Sequence, residues 1–589
     1  MNSAVGQSLI QLLLAGGVPS HEEAVQLSSN LNGGSWMTQV LDSGKVDEGR
    51  FLAAIGAHFQ VPITSLDARA IDRQTLSLLP SRFVFQHHIL PIEVKENAVV
   101  LATYDLFNSV ARQLASQLLK KPVEWVLVPR GQILRAMKTL YGVGAETFDE
   151  ILKTNRSFEG LQDTEAATDL NADDPEASVV KFVNQIIREA IVERATDIHV
   201  EPLEDDLRIR YRIDGILHEV AVPPQLRLLQ SAIISRLKVM AHMDIAERRL
   251  PQDGRINLQS AATNIDVRVS TIPTVNGESL SLRLLSRDQQ QAFGFERLDL
   301  SPAHSRIVES LLAQPNGIVL VTGPTGSGKS TSLYCFLSSI NSVQRRIITI
   351  EEPVEYRLPG VSQIDVKPEI DLTFAKGLRH ILRQDPNVIM VGEIRDFETA
   401  EIAIRAAMTG HIVFSTLHTN DAVGGITRLL DMGVEQFLLA STVRAFLAQR
   451  LVRTVCPDCA QLVEYPREYL AEIGFPLELG TAFRRGAGCD HCRQTGYQGR
   501  MAIYEICVIS ETMRRAIVQK RDGGELKHIA VGQGMETLRQ DGWRRVSQGK
   551  TTIEEVVRVT QNDEVMSETS QVISPATAAP VMPEPARFA

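Results

Sequence analysis

GPTGSGKST, Gly323 to Thr331, follows the apolar run GIVLV at 317–321 and precedes a helical stretch from Ser332 to Ile340. Strand, glycine-rich turn and helix in that order make a phosphate-binding loop, and the pattern GxxxxGK[ST] is met at Gly323, Gly328, Lys329 and Ser330. The loop Gly323, Pro324, Thr325, Gly326, Ser327, Gly328, Lys329, Ser330 and Thr331 is the expected cradle for ATP. Its amides and the helix N-terminus receive phosphate oxygens, Lys329 reaches the β/γ-phosphates, and the Ser330 hydroxyl ligates Mg²⁺. Glycine is needed because a Cβ would block close approach of the backbone. The loop alone leaves open what the nucleotide moves, since kinases, switches, transporters and motors all use it.

At 589 residues the chain exceeds what one core supports, and about three or four domains are expected. Hydrophobic residues make up 44% and charged residues 22%, which excludes a wholly disordered or fibrous chain. Lys and Arg number 61 against 71 for Asp and Glu, so nothing global favours nucleic acid or anionic lipid. No apolar run reaches the length needed to span a bilayer, and the start, MNSAVGQSLIQLLLAGG, lacks the basic region of a signal peptide. Six cysteines, four of them in two CxxC pairs, point to a cytoplasmic chain and to metal ligation rather than disulfides.

Along the chain the pattern changes several times. SLIQLLLAGG with HEEAVQLSSNL, and then GSWMTQVLDSGKVDEGRFLAAIGAHFQVP, read as two helix–break–helix segments and suggest a weak duplication. Short β-type runs HHILPIEV, AVVLATYD and VEWVLV follow, with a helix ending near Tyr141, so 1–144 forms an N-terminal helical plus α/β domain. Residues 145–177 are polar and acidic and read as a linker. A mixed α/β domain is expected over 178–288, a second α/β domain with the phosphate loop over 289–560, and a disordered tail over 561–589.

A hydrolase also needs carboxylates near the γ-phosphate. NVIMVGE puts Glu393 at the end of an apolar strand, as expected for an acid that organises Mg²⁺. RIITIEEPVEY ends in Glu351, Glu352 and Glu355, with Pro353 forcing a turn, and a solvated loop is the competing reading for all of these acids. GHIVFSTLHTND places His411 and His418 around a buried strand, where His418 is able to sense a γ-phosphate.

In this order GPTGSGKST, TIEEPVEY, VIMVGEIRD and TGHIVFSTLHTNDA, preceded by ATDIHVEP, RYRIDG, MDIAERRLPQDGRI and VRVSTIPTVNGE, resemble the secretion ATPases of type II secretion and type IV pilus assembly. The resemblance covers about residues 178–560 and implies a multidomain α/β chain. Its expected parts are a RecA-like P-loop ATPase core, an upstream PAS-like mixed α/β domain, a tetracysteine zinc insertion over 455–497 and an N-terminal docking domain. It implies a catalytic role for Lys329, Glu355 as general base, Glu393 as the Mg²⁺-organising acid and His418 on the γ-phosphate side, with His411 opening the same box. Arg268 and Arg283 match arginines that the upstream domain supplies to the phosphates, and Arg255 is a weaker candidate. One departure is Glu351-Glu352-Pro353, where the family usually has EDP.

The resemblance further implies a homohexamer in the cytoplasm, peripherally associated with the inner membrane. Its expected partner is a membrane platform or the cytoplasmic domain of a bitopic membrane protein, and its expected work is the addition of pilin or pseudopilin subunits. A motor acting on DNA and a nucleotide-gated scaffold without turnover are the rival readings. The acidic balance counts against direct nucleic-acid contact. Some relatives bind cyclic di-GMP through paired segments starting Arg-Leu-Gly, but VGQSLIQLLLAGGV and GSWMTQVLDSGKV both lack that start, which speaks against this ligand.

Cys456 and Cys459 in VCPDC and Cys489 and Cys492 in GCDHC, with 29 residues between the pairs, offer four thiolates suited to structural Zn²⁺. The spacing is longer than in compact zinc ribbons and leaves unrelated cysteines open, whereas the resembled assembly members carry a tetracysteine insertion here that retraction ATPases lack. His491 is the alternative ligand, and Cys335 and Cys507 read as core residues. Asp197, His199 and Glu201 share one strand face and read as structural.

Overall fold

A computed structural model of the chain describes residues 4–29, 36–66, 71–76, 78–142, 175–223, 226–259, 264–286, 293–480, 482–489 and 491–560. The expected linker lies outside the described residues apart from its last three positions, which open the helix Pro175–Val192; the expected tail lies wholly outside them. The chain divides into two compact units, Met1–Phe293 with Glu355–Leu358, and Gly294–Val354 with Pro359–Ala589.

The first unit opens with two helix pairs, Ala4–Ala15 with His21–Ser29 and Trp36–Asp42 with Glu48–Phe59, at the two helix–break–helix segments of the sequence. Gly16 joins them: its carbonyl accepts from Asp47 N at 2.9 Å, and a Cβ there would lie 2.7 Å from the Phe51 ring. Strands β1 (Ile89–Val94), β2 (Val99–Thr103) and β3 (Val123–Leu127) form a sheet in that order, antiparallel then parallel.

The same unit holds a six-stranded antiparallel sheet of order β6-β5-β4-β9-β8-β7. Its strands are β4 (Asp197–Pro202), β5 (Leu207–Ile213), β6 (Ile216–Glu219), β7 (Gln252–Gln259), β8 (Asn264–Thr274) and β9 (Gly277–Ser286). β5 shows strict alternation: Leu207, Ile209, Tyr211 and Ile213 join a core with Phe182, Ile186, Ile233 and Leu237, while Arg208, Arg210 and Arg212 point the other way.

The second unit is built on a seven-stranded sheet of order β12-β11-β13-β14-β10-β15-β18. β10 (Gly317–Thr322), β11 (Ile347–Glu351), β13 (Val388–Val391) and β14 (Ile412–Leu417) are buried at every position, as parallel strands covered on both faces require. β12 (Ser362–Asp365) closes one edge. β15 (Val443–Val455) runs parallel to β10 and antiparallel to β18 (Tyr497–Val508). Between β15 and β18 sits an insertion with its own small ladder, β16 (Ala460–Val463) against β17 (Phe483–Gly486). Trp543, Val546, Ile553 and Val556 from the C-terminal helices complete this core. Among the described residues no helix is long and apolar enough to cross a membrane.

Glu555 ties the helix Ile553–Val559 to β15. Its buried carboxylate accepts from Arg453 N at 3.0 Å, Arg453 Nη2 at 2.7 Å, Arg558 Nε at 2.9 Å and Arg558 Nη2 at 2.7 Å. Burial alone would raise its pKa, but the hydrogen bonds from Arg558 and Arg453 outweigh burial and hold it at about 2. The folded value lies below the unfolded one of about 4.3, so this stabilisation is present above that pH and disappears as pH falls towards about 2. Glu555→Gln is therefore expected to cost about 3 kcal/mol at neutral pH. The difference from wild type, read as the urea midpoint against pH, shrinks below about pH 4; a constant difference down to about pH 2 would contradict the assignment.

Candidate nucleotide site and metal centre

One cross-strand row organises the candidate site. Ile350, Val391, Ser415, Leu320, Phe446 and Cys507 lie side by side on β11, β13, β14, β10, β15 and β18. Because the first five strands are parallel, their chains leave the sheet at the same end. Gly323 follows that row by three residues on β10, Glu393 by two on β13, His418 by three on β14, and Gln449 by three on β15. Residues scattered over more than a hundred positions are thus delivered to the carboxyl edge, where ligands bind in open α/β sheets.

The phosphate loop leaves β10 at Gly323, with φ +147°; a Cβ there would lie 2.6 Å from Gln449 O and from Ser327 Oγ. Gly328, with φ +90°, precedes the helix Lys329–Ile340, and no side chain caps that helix. Its first-turn amides are therefore available to an anion. Ser327 Oγ is buried without a hydrogen-bond partner among the described residues. Pro324, Thr325, Gly326 and Ser330 are exposed, and Thr331 is half-buried. These features fit a triphosphate cradle.

Lys329 is buried, and its Nζ donates to Gly323 O at 2.8 Å and Pro324 O at 3.1 Å. Burial lowers its pKa to about 8; Glu393 raises it and Arg450 lowers it further. Glu393 pairs through Oε1 with Arg395 Nη2 at 2.5 Å and through Oε2 with His418 Nε2 at 3.2 Å. Arg395 also reaches Glu352 Oε2 at 3.2 Å. Of these groups only the Glu393 carboxylate offers the oxygen a hard divalent cation takes, while Arg395 and His418 are donors able to respond to a phosphate.

The other acids of TIEEPVEY part company. Glu351 is buried in β11, where its carboxylate accepts from Tyr334 OH, from Thr349 Oγ1 at 2.6 Å and from Gln363 Nε2 at 3.0 Å; burial raises its pKa. It serves the core. Glu355 belongs to the first unit and pairs there with Arg268 Nη1 at 3.0 Å. His411 stands at the opposite end of β14 from His418, with Nδ1 2.9 Å from Ala406 O, and is a helix-end contact.

In the first unit Arg255, Arg268, Arg283, Asp197 and Arg212 form one cross-strand row over β7, β8, β9, β4 and β5. Asp197 is shared between Arg283 Nε at 3.2 Å and Arg212 Nε at 3.6 Å, and Arg255 is exposed. Glu201 pairs with Arg208 and Arg210. Asp197, His199 and Glu201 thus belong to an ion-paired face, in keeping with a structural reading.

The four cysteines meet. The Sγ atoms of Cys456, Cys459, Cys489 and Cys492 all lie within 4.8 Å of one another, with 456–489 at 3.8 Å and 459–492 and 489–492 at 3.7 Å. A tetrahedral ion with metal–sulfur bonds of about 2.3 Å has sulfur–sulfur edges of about 3.8 Å, so the donor set fits Zn²⁺. Cys489 N and Gly496 N donate to Cys492 Sγ at 3.2 and 3.3 Å, which favours the thiolate. His491 turns away to Asp458 Oδ2 at 2.5 Å.

Sequence reasoning passed over Gln449, Arg450 and Arg395. Gln449 accepts from Ser332 Oγ at 2.7 Å and lines Gly323 and Gly328, while Arg450 donates to Asn420 O at 3.1 Å, two residues past His418. The available signal was a Gln-Arg pair interrupting the apolar strand VRAFLAQRLV.

Residues 172–558 match the family described as Type II/IV secretion system protein, and residues 59–147 match the MshEN domain. The two segments lacking Arg-Leu-Gly lie N-terminal to the MshEN match. The type II secretion system protein E of Xanthomonas campestris pv. campestris is 43% identical over 508 residues, covering 84% of this chain and 88% of its own. The type II secretion system protein E of Aeromonas hydrophila is 50% identical over 395 residues, 67% of this chain and 78% of its own. The type IV pilus assembly ATPase PilB of Myxococcus xanthus is 39% identical over 544 residues, 90% of this chain and 94% of its own. The family match takes in the six-stranded sheet with its arginine row, the seven-stranded sheet with its phosphate loop and the cysteine cluster alike, and the chain belongs to the type II/IV secretion system protein family.

Proposed function

We propose that this chain is a Mg²⁺-dependent ATPase of the assembly type, working as a cytoplasmic homohexamer that drives addition of pilin or pseudopilin subunits at an inner-membrane platform. The observation that carries the reading is the row from which the phosphate loop, Glu393 and His418 emerge together. Relatives named for type II secretion and for type IV pilus assembly support the machine class. The cysteine cluster favours an assembly member over a retraction motor.

In this reading the ammonium of Lys329 neutralises the β- and γ-phosphates, an effect strengthened by its burial. Glu355 polarises the attacking water, and Arg268, paired with it at 3.0 Å, orients that carboxylate. His418 holds Glu393 and follows the γ-phosphate. Arg268 and Arg283 supply positive charge to the transferring phosphoryl group. Ser330 and Glu393 would hold Mg²⁺, which supplies further charge neutralisation. Cys456, Cys459, Cys489 and Cys492 would hold Zn²⁺, a structural cross-link across the insertion. Residues 1–144 dock on the membrane partner, residues 178–288 carry the arginines, and residues 289–560 hold the nucleotide. Neither nucleic acid nor cyclic di-GMP is part of this proposal.

Turnover is the direct test: Glu355→Gln should lower kcat by about 10²–10⁴-fold while ATP still binds. Unchanged kcat removes Glu355 as the base. The depressed pKa of Lys329 adds a pH signature. Below about pH 8 the amine is already charged; above it, binding must take up a proton, so ATP affinity should fall about tenfold per pH unit. A dissociation constant that stays flat to about pH 9.5 contradicts this. For the metal, purified protein should carry about one zinc per chain, and Cys459→Ser should lose it and expose 456–496 to protease; an unchanged zinc content and cleavage pattern would dismiss the site.

A further inference from the structure

Glu505 lies in the middle of β18, in the run MAIYEICV, where its neighbours are apolar and buried. Its side chain is 2% exposed, and an acid in such a place needs partners. The register explains where they come from. Glu505 stands opposite Ala448 on β15, Ala448 opposite Thr322 on β10, and Thr322 opposite Leu417 on β14. Thr322 is the last residue before the phosphate loop, and Leu417 the last before His418.

On this row one peptide group is held from two sides. The Asp421–Ala422 carbonyl accepts from Thr322 Oγ1 at 3.3 Å and from Thr419 Oγ1 at 2.9 Å, and its amide donates to Glu505 Oε1 at 2.8 Å. The other oxygen, Oε2, accepts from Leu538 N at 3.3 Å, the first residue of the helix Leu538–Ser547. The Asp421 carboxylate in turn accepts from Gly424 N, the first residue of the helix Gly424–Asp431, at 2.7 Å. The turn that carries His418 is therefore tied to β10, beneath the phosphate loop, by the Thr322 hydroxyl, and to β18 and a C-terminal helix by one buried carboxylate.

We propose that Glu505 is a positioning residue: by clamping the Asp421–Ala422 peptide against Thr322, it sets His418 relative to the phosphate loop and links that setting to the C-terminal helices. The proposal rests on reading the site as an ATPase. Glu505 touches neither nucleotide nor reacting atoms; it acts through the turn. Two backbone amides require acceptors, and a protonated carboxyl would present an O–H to one of them.

Titration of Glu505 is consistent with this geometry. Burial pushes its pKa up to about 7, the Ala422 and Leu538 amides and Lys527 pull it down, and Asp421 pushes it up. The charged and titratable groups facing it are Asp421 on the turn, Lys527 on the helix Gly523–Gly532 and Cys507 on its own strand; Lys527 lies 3.8 Å from Asp421. The folded pKa is raised, so the ionised clamp holds above about pH 7 and loosens below it.

The test uses full-length wild type, Glu505→Gln and, as a second variant that spares the carboxylate, Thr322→Val. ATP turnover from about pH 6 to about pH 8.5 should show kcat lowered about tenfold or more in Glu505→Gln, with KM within about threefold. The acidic limb near pH 7 in wild type should be absent from that variant. Amide exchange across 419–423 should be about tenfold faster in both variants, with the core strands unchanged. Identical pH profiles and kcat in wild type and Glu505→Gln, or unaltered exchange in the turn, overturn the proposal. Wild type without turnover sinks the ATPase reading instead, and the exchange comparison still decides whether the clamp exists.

Discussion

The parallel register of β10 with β14 and β15 is the constraint on which the second unit depends. Parallel strands all run to the same side, and here Thr322 and Leu417, the last residues of β10 and β14, lie level with each other and with Ala448 inside β15. β10 and β14 are buried on both faces, so a shift by one residue would turn every side chain to the other face and move each loop by one position. The hydrophobic core thereby fixes the placement of polar groups that contribute nothing to it. Lys329, Glu393 and His418 are precise because Val319, Ile389 and Phe414 are packed.

Charge is distributed around that edge with little slack. Lys329 is desolvated, which lowers its pKa to about 8, and its ammonium is held by the carbonyls of Gly323 and Pro324. Glu393 is offset by Arg395 and hydrogen-bonded to His418, and Glu352 is drawn into the same group through Arg395. Glu393 has two partners, so one contact can be given up without leaving that carboxylate alone, whereas Glu352 depends on Arg395.

The large pattern of the fold was legible in the residues. The uninterrupted run GIVLVT and the alternating run LRIRYRI announce two kinds of sheet, one covered on both faces and one with a charged side. The helix–break–helix pairs at the N-terminus were legible for the same reason. Side-chain destinations were not. TIEEPVEY offers three carboxylates within five residues, yet Glu351 turns into the core, Glu352 meets Arg395 and Glu355 meets Arg268, and nothing in their spacing separates them. His491 reads as a spare ligand by adjacency, but the fourth thiolate already lies within the cluster and the imidazole is left for Asp458. Gln449 and Glu505 are single polar residues in apolar strands, and their roles depend on register with strands more than fifty residues away.

The arginine row on the first unit shows what such placement costs. In an antiparallel sheet, like charges directly opposite one another destabilise the pair. Arg268 faces Arg255 on one side and Arg283 on the other, and the row contains a single acid, Asp197, already shared by two arginines. Glu355 supplies one more negative charge, from a segment that lies between β11 and β12 in sequence. Four guanidinium groups against two carboxylates leave the row electropositive, while Glu201 on the same face balances its own arginines, Arg208 and Arg210, directly. A sheet that needed only to fold would place acids at 255 or 283. Retaining arginine there is an unfavourable choice for the isolated sheet, and in the proposed function the phosphates of the nucleotide are what would offset it.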